Sequence, residues 1–272
     1  MKKFSQLAIP YIVWAALMLV LPMALIFLYS ITEPGNSIIS FSITLDQYIK
    51  FFTDKDFLLI LWRSLAIAVK TTIICLLLGY PIAYYIARTK EKTQNMLILC
   101  ITIPMWINML LRTYAWMNLL ADNGIINNLL AKIGLGPISM MYTDFSVMVG
   151  LICNFMPFMI IPIHTSLNKM DKSLIEAAYD LGANRFQTFW KVIWKLSLPG
   201  VVNGIMMVFL LAISSFVIPK LLGGGQYMLI GNLIESQFIS VGDWNFGSAI
   251  SLILAVLILI FMSLMKKMDK DE

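Results

Sequence analysis

Charge is scarce in this sequence. Only 13% of its 272 residues are Asp, Glu, Lys or Arg, and 60% are hydrophobic, whereas a soluble domain carries about 25% charge. That balance excludes an ordinary water-soluble globule. Histidine is nearly absent as well: His164 is the only one. A His-Glu-x-x-His zinc motif and a His-rich metal site are therefore impossible, and no pattern supports a serine–histidine hydrolase. His164 itself reads as an interfacial polar residue. The three cysteines, Cys75, Cys100 and Cys153, all fall in apolar runs at spacings that suit neither a disulfide framework nor a metal site. Gly223-Gly224-Gly225-Gln226 is rich in glycine but lacks the G-x-x-x-x-G-K-[ST] phosphate loop. It reads as a flexible outer turn, and any energy must come from a partner. The apolar runs hold too few titratable groups to line a catalytic cavity, so nothing marks the chain as an enzyme.

What the chain has instead is long apolar runs. About 20 such residues cross the ~30 Å hydrocarbon layer as a helix, and lipid offers the backbone no partner outside helices and closed barrels. The expected class is an all-α polytopic membrane protein with six transmembrane helices, at Leu7–Ile31, Trp62–Ala87, Met96–Leu120, Phe145–Thr165, Val201–Leu222 and Phe246–Met265. The first run follows Met1-Lys2-Lys3 but is too long for a signal peptide and has no small-x-small cleavage site, so a retained anchor is expected. The resulting organisation is an N-terminal helix (1–31), an outer loop (32–61), a core of five helices (62–265) enclosing a loop at 169–200, and a tail (266–272).

Basic residues set the direction. Lys2, Lys3, Arg88, Lys90, Lys92, Lys169, Lys172, Arg185, Lys191, Lys195, Lys266, Lys267 and Lys270 fall on one side. The other side carries only Lys50, Lys55, Lys132 and the border residues Arg63 and Lys220. The richer side is expected to be cytoplasmic, with both termini on it. The outer loops are mildly acidic, through residues such as Asp122, Asp144, Glu235 and Asp243.

The cytoplasmic stretch Ser173–Gly200 is patterned too strongly for a plain linker. Ser173-x-x-Glu176 has capping-box spacing. Leu174, Ala177, Ala178 and Leu181 then recur at helical spacing, and Gly182 sits where a left-handed cap would end the helix. Asn184 can cap a second helix with Phe186, Phe189, Trp190 and Ile193 on one face, and Pro199 is expected in the first turn of the fifth span. Trp190 and Trp194 could lie at headgroup depth. The first helix suits that poorly: its alanines are too small to anchor in lipid but allow another protein to approach closely.

Glu176-Ala177-Ala178, then Gly182 and an aromatic-rich helix ending Leu198-Pro199, resembles the EAA signature of ABC-importer permeases. Trp62-Arg63-Ser64-Leu65, Gly79-Tyr80-Pro81-x-Ala83-Tyr84, Leu111-Arg112-Thr113-Tyr114, Ile230-Gly231-Asn232 and Gly242-Asp243-Trp244 are similar to the permeases of spermidine/putrescine importers. The departures are Asn245, where proline is expected, and Met109 after Asn108, where serine is expected. The resemblance implies a type I (MetI-like) importer fold and uptake of polyamines. It implies a homologous second permease of the PotC kind and two copies of a cytoplasmic ATPase holding the ATP and magnesium, with no cofactor in this chain. An extracytoplasmic binding protein would deliver the substrate. Ser173, Glu176, Ala177, Ala178, Leu181 and Gly182 would form the helix that docks on the ATPase. Another small cargo for the same kind of importer remains the alternative.

A polyamine needs aromatic faces and carboxylates. Trp106, Asn108, Tyr114 and Trp116, with Glu235, Asp243 and Trp244 at the outer mouth, are the pathway candidates, although interfacial aromatic belts use the same residues. Arg112 lies inside the third span, where a charge must face protein or water. An ion pair with Asp122, or with an acid of a partner subunit, is expected. Lys70 is expected to snorkel outward. Tyr227–Ile239 reads as an interfacial helix of the outer loop. Pro81, Pro104, Pro157, Pro162 and Pro219 interrupt spans, and Gly200 and Gly204 form a small-xxx-small pair suited to close helix contact.

Overall fold

The computed structural model describes residues 2–33, 42–171, 173–225 and 227–270. Met1, Lys172, Gln226, part of the 32–61 loop and the end of the 266–272 tail lie outside them, as do the side chains of Lys2, Lys3 and Lys270. In chain order the helices are α1 (Lys2–Ser30), α2 (Asp46–Thr53), α3 (Lys55–Ala87), α4 (Glu91–Trp106), α5 (Met109–Leu120), α6 (Ile125–Lys132), α7 (Asp144–Asn168), α8 (Ser173–Asp180) and α9 (Arg185–Thr188). A π-helical turn (Phe189–Ile193) leads directly into α10 (Trp194–Ser214). Then come α11 (Val217–Leu222), α12 (Ile230–Glu235), a second π-helical turn (Ser236–Val241) and α13 (Trp244–Lys270).

Among the described residues, five helical stretches are long and apolar enough to cross a membrane: Val13–Ser30, Lys55–Ala87, Asp144–Asn168, Arg185–Ser214 and Trp244–Lys267. The sixth expected span is a bent pair, Glu91–Trp106 and Met109–Lys132, which meet at 93°. The bend has a local cause. Pro104 brings no amide to the last turn of α4, Ile107 turns extended and donates back to the Pro104 carbonyl at 3.2 Å, and Asn108 Oδ1 accepts from Leu110 N at 2.8 Å to start α5. The interruption expected at Pro104 is thus present, as a sharp break within the span read over Met96–Leu120. Pro81, Pro157 and Pro162 lie within helices that continue through them. The fifth span also ends early, at Ser214, because Ser215 is extended; Asn232 Nδ2 takes the loose Phe216 carbonyl at 2.7 Å.

By packing, the chain divides into two units: Met1–Leu61 with Leu233–Leu259, and Trp62–Asn232 with Ile260–Glu272. In the first, α1 ends where Asn245 Nδ2 donates to the Tyr29 carbonyl at 2.9 Å and the Thr32 carbonyl at 2.7 Å. Helix C-termini leave carbonyls short of amides, and this side chain donates to one in the last turn of α1 and to one just beyond it. A proline at 245 could not. Phe51 of α2 stacks on Phe57, which in turn packs against Phe246.

The core of the second unit is α7 against α10. Small residues allow the two backbones to approach. A Cβ added to Gly200 would stand 2.6 Å from the Pro162 carbonyl oxygen, and one added to Gly204 would stand 2.7 Å from Met159 Sδ. The contact expected from the glycine pair is therefore made. At one end of this unit the Arg63 guanidinium donates to Asp144 at 2.9 Å and lies over the Tyr227 ring, 3.9 Å from its centroid. Ser64 Oγ accepts from Ile230 N at 2.8 Å, and Ser146 Oγ donates to the Leu222 carbonyl at 3.0 Å. Burial pushes the Tyr227 phenol up to about 12. The segment read as an interfacial helix over Tyr227–Ile239 is corrected here: Tyr227, Leu229, Ile230 and Leu233 are buried, and the helix begins only at Ile230. Gly231 sits against the Ser214 and Ser215 carbonyls, so the segment plugs the break after α10.

Candidate functional site

Helix α8 buries none of its residues. Leu174 and Tyr179 are exposed, and Leu181, just past its end, is 88% exposed. A helix of eight residues is too short to persist alone in water, so its two ends must hold it. At the C-terminal end, Gly182 N donates to the Tyr179 carbonyl at 2.9 Å and Ala183 N to the Ala178 carbonyl at 3.0 Å, with Gly182 at φ +80°. This is a complete Schellman cap, at the glycine where one is expected. At the N-terminal end the expected Ser173–Glu176 box is corrected. Ser173 is already the first helical residue, and its amide is taken by Asp171 Oδ1 at 2.9 Å. Hydrogen bonds from the Ser173 backbone and side chain hold the Asp171 carboxyl below the usual carboxylate range. Asp171, two residues before Ser173, takes this amide in a local side-chain turn.

Asn184 caps the next helix through a reciprocal box with Gln187, at 2.8 and 3.0 Å. The cap expected at Asn184 is therefore made, and Gln187 completes it as a reciprocal partner that the sequence reading did not include. From Arg185 the helix runs without interruption through the π turn to Ser214, 30 residues in all. Pro199 therefore lies inside α10 rather than in its first turn. The aromatic face does not simply rest in lipid. Trp194 packs on Tyr80 at 5.0 Å between ring centroids, Phe189 meets Tyr84 edge-on at 5.7 Å, and Tyr80 Oη shares a hydrogen bond with Ser197 Oγ at 2.9 Å. Phe186 and Trp190 stay exposed. So the second helix is fastened to α3, and α8 hangs from it by the glycine turn.

Between these parts lies a cavity of about 280 Å³ whose walls include Tyr84, Arg88, Asn168, Met170, Ile175 and Glu176. The Arg88 guanidinium sits 4.4 Å from the Tyr84 ring centroid at its rim. Glu176 thus faces a concave surface, while Ala177, Leu181 and Leu174 offer an apolar one.

The pathway candidates separate into two groups. Trp106 (79% exposed) and Asn108 flank the bend between α4 and α5 in the second unit, and Tyr114 and Trp116 lie further along α5. Glu235, Asp243 and Trp244 belong to the first. Asp243 is engaged: Oδ1 accepts from Phe246 N at 2.9 Å, and Oδ2 faces Lys50 Nζ at 4.0 Å, which itself lies 4.2 Å from the Phe246 centroid. The Trp244 ring lies against Tyr29 and Phe238. Arg112 makes no ion pair with Asp122; its Nε is buried and has no hydrogen-bond partner among the described residues.

Comparison with known proteins follows the same lines. Residues 76–271 match the family model described as binding-protein-dependent transport system inner membrane component. The chain is 37% identical over 259 residues to the spermidine/putrescine transport system permease protein PotB of Haemophilus influenzae, covering 94% of this chain and 90% of that one. It is also 37% identical to the PotB protein of Escherichia coli K12, over 89% of each. Among solved structures, a bacterial ABC transporter involved in the import of the acidic polysaccharide alginate shares the fold, with a TM-score of 0.77 at 17% identity, covering 98% of this chain and 95% of that chain. The apolar spans, the exposed α8 held between two caps and these likenesses converge: this multi-pass membrane protein belongs to the binding-protein-dependent transport system inner membrane component family.

Proposed function

We propose that this chain is a permease subunit of an ATP-driven importer for polyamines, spermidine and putrescine. It pairs with a homologous second permease. Two copies of a cytoplasmic ATPase, which bind the ATP and magnesium, dock beneath the pair, and an extracytoplasmic binding protein delivers substrate from the other side. Both termini and α8 lie on the cytoplasmic side, as the basic residues favour. Ser173, Glu176, Ala177, Ala178, Leu181 and Gly182 form the docking helix.

The observation that carries this reading is α8 itself: a short helix, capped at both ends, with no buried residue and an apolar face beside a cavity. Exposed apolar surface is retained where a partner covers it. The polyamine assignment is supported by likeness to permeases named for spermidine and putrescine. It is also supported by the aromatic residues Trp106, at the bend, and Tyr114 and Trp116, along α5, each able to contribute about 0.5–2 kcal/mol to an ammonium group. Arg112 then takes its counter-charge from an acidic residue of the second permease.

The test is labelled spermidine uptake into proteoliposomes that hold this chain, its paired permease and the ATPase, with binding protein outside and ATP inside. Uptake that requires both ATP and the binding protein supports the reading. ATP hydrolysis without uptake of spermidine or putrescine would keep the importer and return the cargo to another small molecule.

A further inference from the structure

The sole histidine sits in a polar group that the proposed function does not use. Gln94, on the first turn of α4, is 7% exposed. Its carboxamide nitrogen donates to Asn168 Oδ1 at 3.0 Å and meets His164 Nε2. His164 and Asn168 are four residues apart near the end of α7, so both project from one face of that helix. An amide nitrogen has two protons and no acceptor capacity. Serving both partners therefore requires His164 to accept at Nε2 and carry its proton at Nδ1. The bridge joins α4 to α7 through hydrogen bonds that are part-buried.

Position gives it meaning. Asn168 lines the cavity that Ile175 and Glu176 of α8 also line. Gln94 begins the helix that ends at the Ile107–Asn108 bend, where Trp106 is exposed. Helix α7 in turn packs on α10, which continues from the aromatic helix after α8.

We infer that Gln94 is a positioning residue that ties α4 to the Asn168 end of α7, so that displacement of the α8 region is delivered to the bend at Ile107–Asn108. This rests on reading α8 as the docking helix. Without the bridge, α4 would keep its helix but lose its polar connection to α7. The two parts could then move out of step, and ATP would be spent without passage of substrate.

The test is the number of labelled spermidine molecules taken up per ATP hydrolysed by the reconstituted complex. Gln94→Leu should lower that ratio by about fivefold, within the range seen for residues that transmit coupling. The exchange Gln94→His with His164→Gln, which restores a donor–acceptor pair across the same gap, should recover most of it. A purely structural residue would lower complex yield and leave the ratio of the surviving complexes unchanged. Should Gln94→Leu fail to assemble, Asn168→Ala decides. Asn168 is exposed at the last position of α7, so its loss opens no core. A lowered ratio supports the bridge, and a wild-type ratio overturns it. The docking reading fails separately: a Gly182→Val complex with normal uptake would remove it, whatever Gln94→Leu does.

Discussion

Arg63 lies over the ring of Tyr227, 3.9 Å from its centroid, while its guanidinium also holds Asp144 at 2.9 Å. One cation thus joins α3, the start of α7 and the loop before α12. The Arg63 and Asp144 side chains are 43% and 61% exposed, so the ion pair is screened and contributes modestly, about 0.2–1 kcal/mol. The ring contact adds about 0.5–1 kcal/mol. Arg63→Ala should lower the thermal midpoint in detergent by roughly 2–6 °C, given the shift per kcal/mol for chains of this size. A cycle with Asp144→Ala should show that the two losses are not additive. Fully additive losses would mean that the pair contributes nothing measurable.

Gly182 holds φ +80°, and a Cβ placed there meets nothing within 4 Å. Backbone conformation alone is therefore at stake. A β-branched residue costs about 1–2 kcal/mol in the left-handed region, whereas asparagine tolerates it. Gly182→Val should leave the protein in the membrane and lower uptake sharply. Gly182→Asn should stay near wild type. Equal uptake by both would show that the cap geometry does not matter to transport.

Gly204 presents the opposite case: its φ is ordinary and its space is filled. Gly204→Val places carbon against Met159, and overpacking of this kind costs about 1–3 kcal/mol. The expected outcome is a lower thermal midpoint and reduced yield of the folded protein. Met159→Ala in the same chain should relieve part of the loss, which differential scanning measurements on the two variants would reveal.

Asn245 satisfies two carbonyls at the end of α1. Removing a side chain that leaves such groups unpaired costs about 1–3 kcal/mol. Asn245→Ala should therefore destabilise, and Asn245→Pro should do so too despite the proline expected from resemblance. Protection of the α1 end, read by limited proteolysis, should fall in both.

Much of this was legible beforehand for a physical reason. Glycine at 182 and asparagine at 184 act locally, so their spacing alone announces a helix end and a helix start. The glycine pair at 200 and 204 declared the close approach of α10 because a missing side chain has few other uses in a membrane helix. The bend at Ile107 was harder to see. Met96–Ile107 carries only one polar residue, Thr102, so no change of phase marks where one helix stops; only Pro104 with Asn108 carried the signal. The Asp171 cap was missed because Ser173 offered a competing hydroxyl two residues on. The Gln94 bridge joins residues 70 and 74 positions apart, and nothing local pairs them.

The unbroken helix from Arg185 to Ser214 imposes a phase. Each residue advances an α-helix by about 100° and 1.5 Å. Inserting or deleting a single residue between Asn184 and Gly200 would thus swing the glycine strip away from α7, or turn the aromatic face away from Tyr80 and Tyr84. The π turn at Phe189–Ile193 is where such a mismatch can be absorbed, since a wider turn accommodates one extra residue without restarting the helix. Insertions and deletions in this arm are therefore confined to the π turn, and everywhere else along it the residue count is as constrained as the side chains.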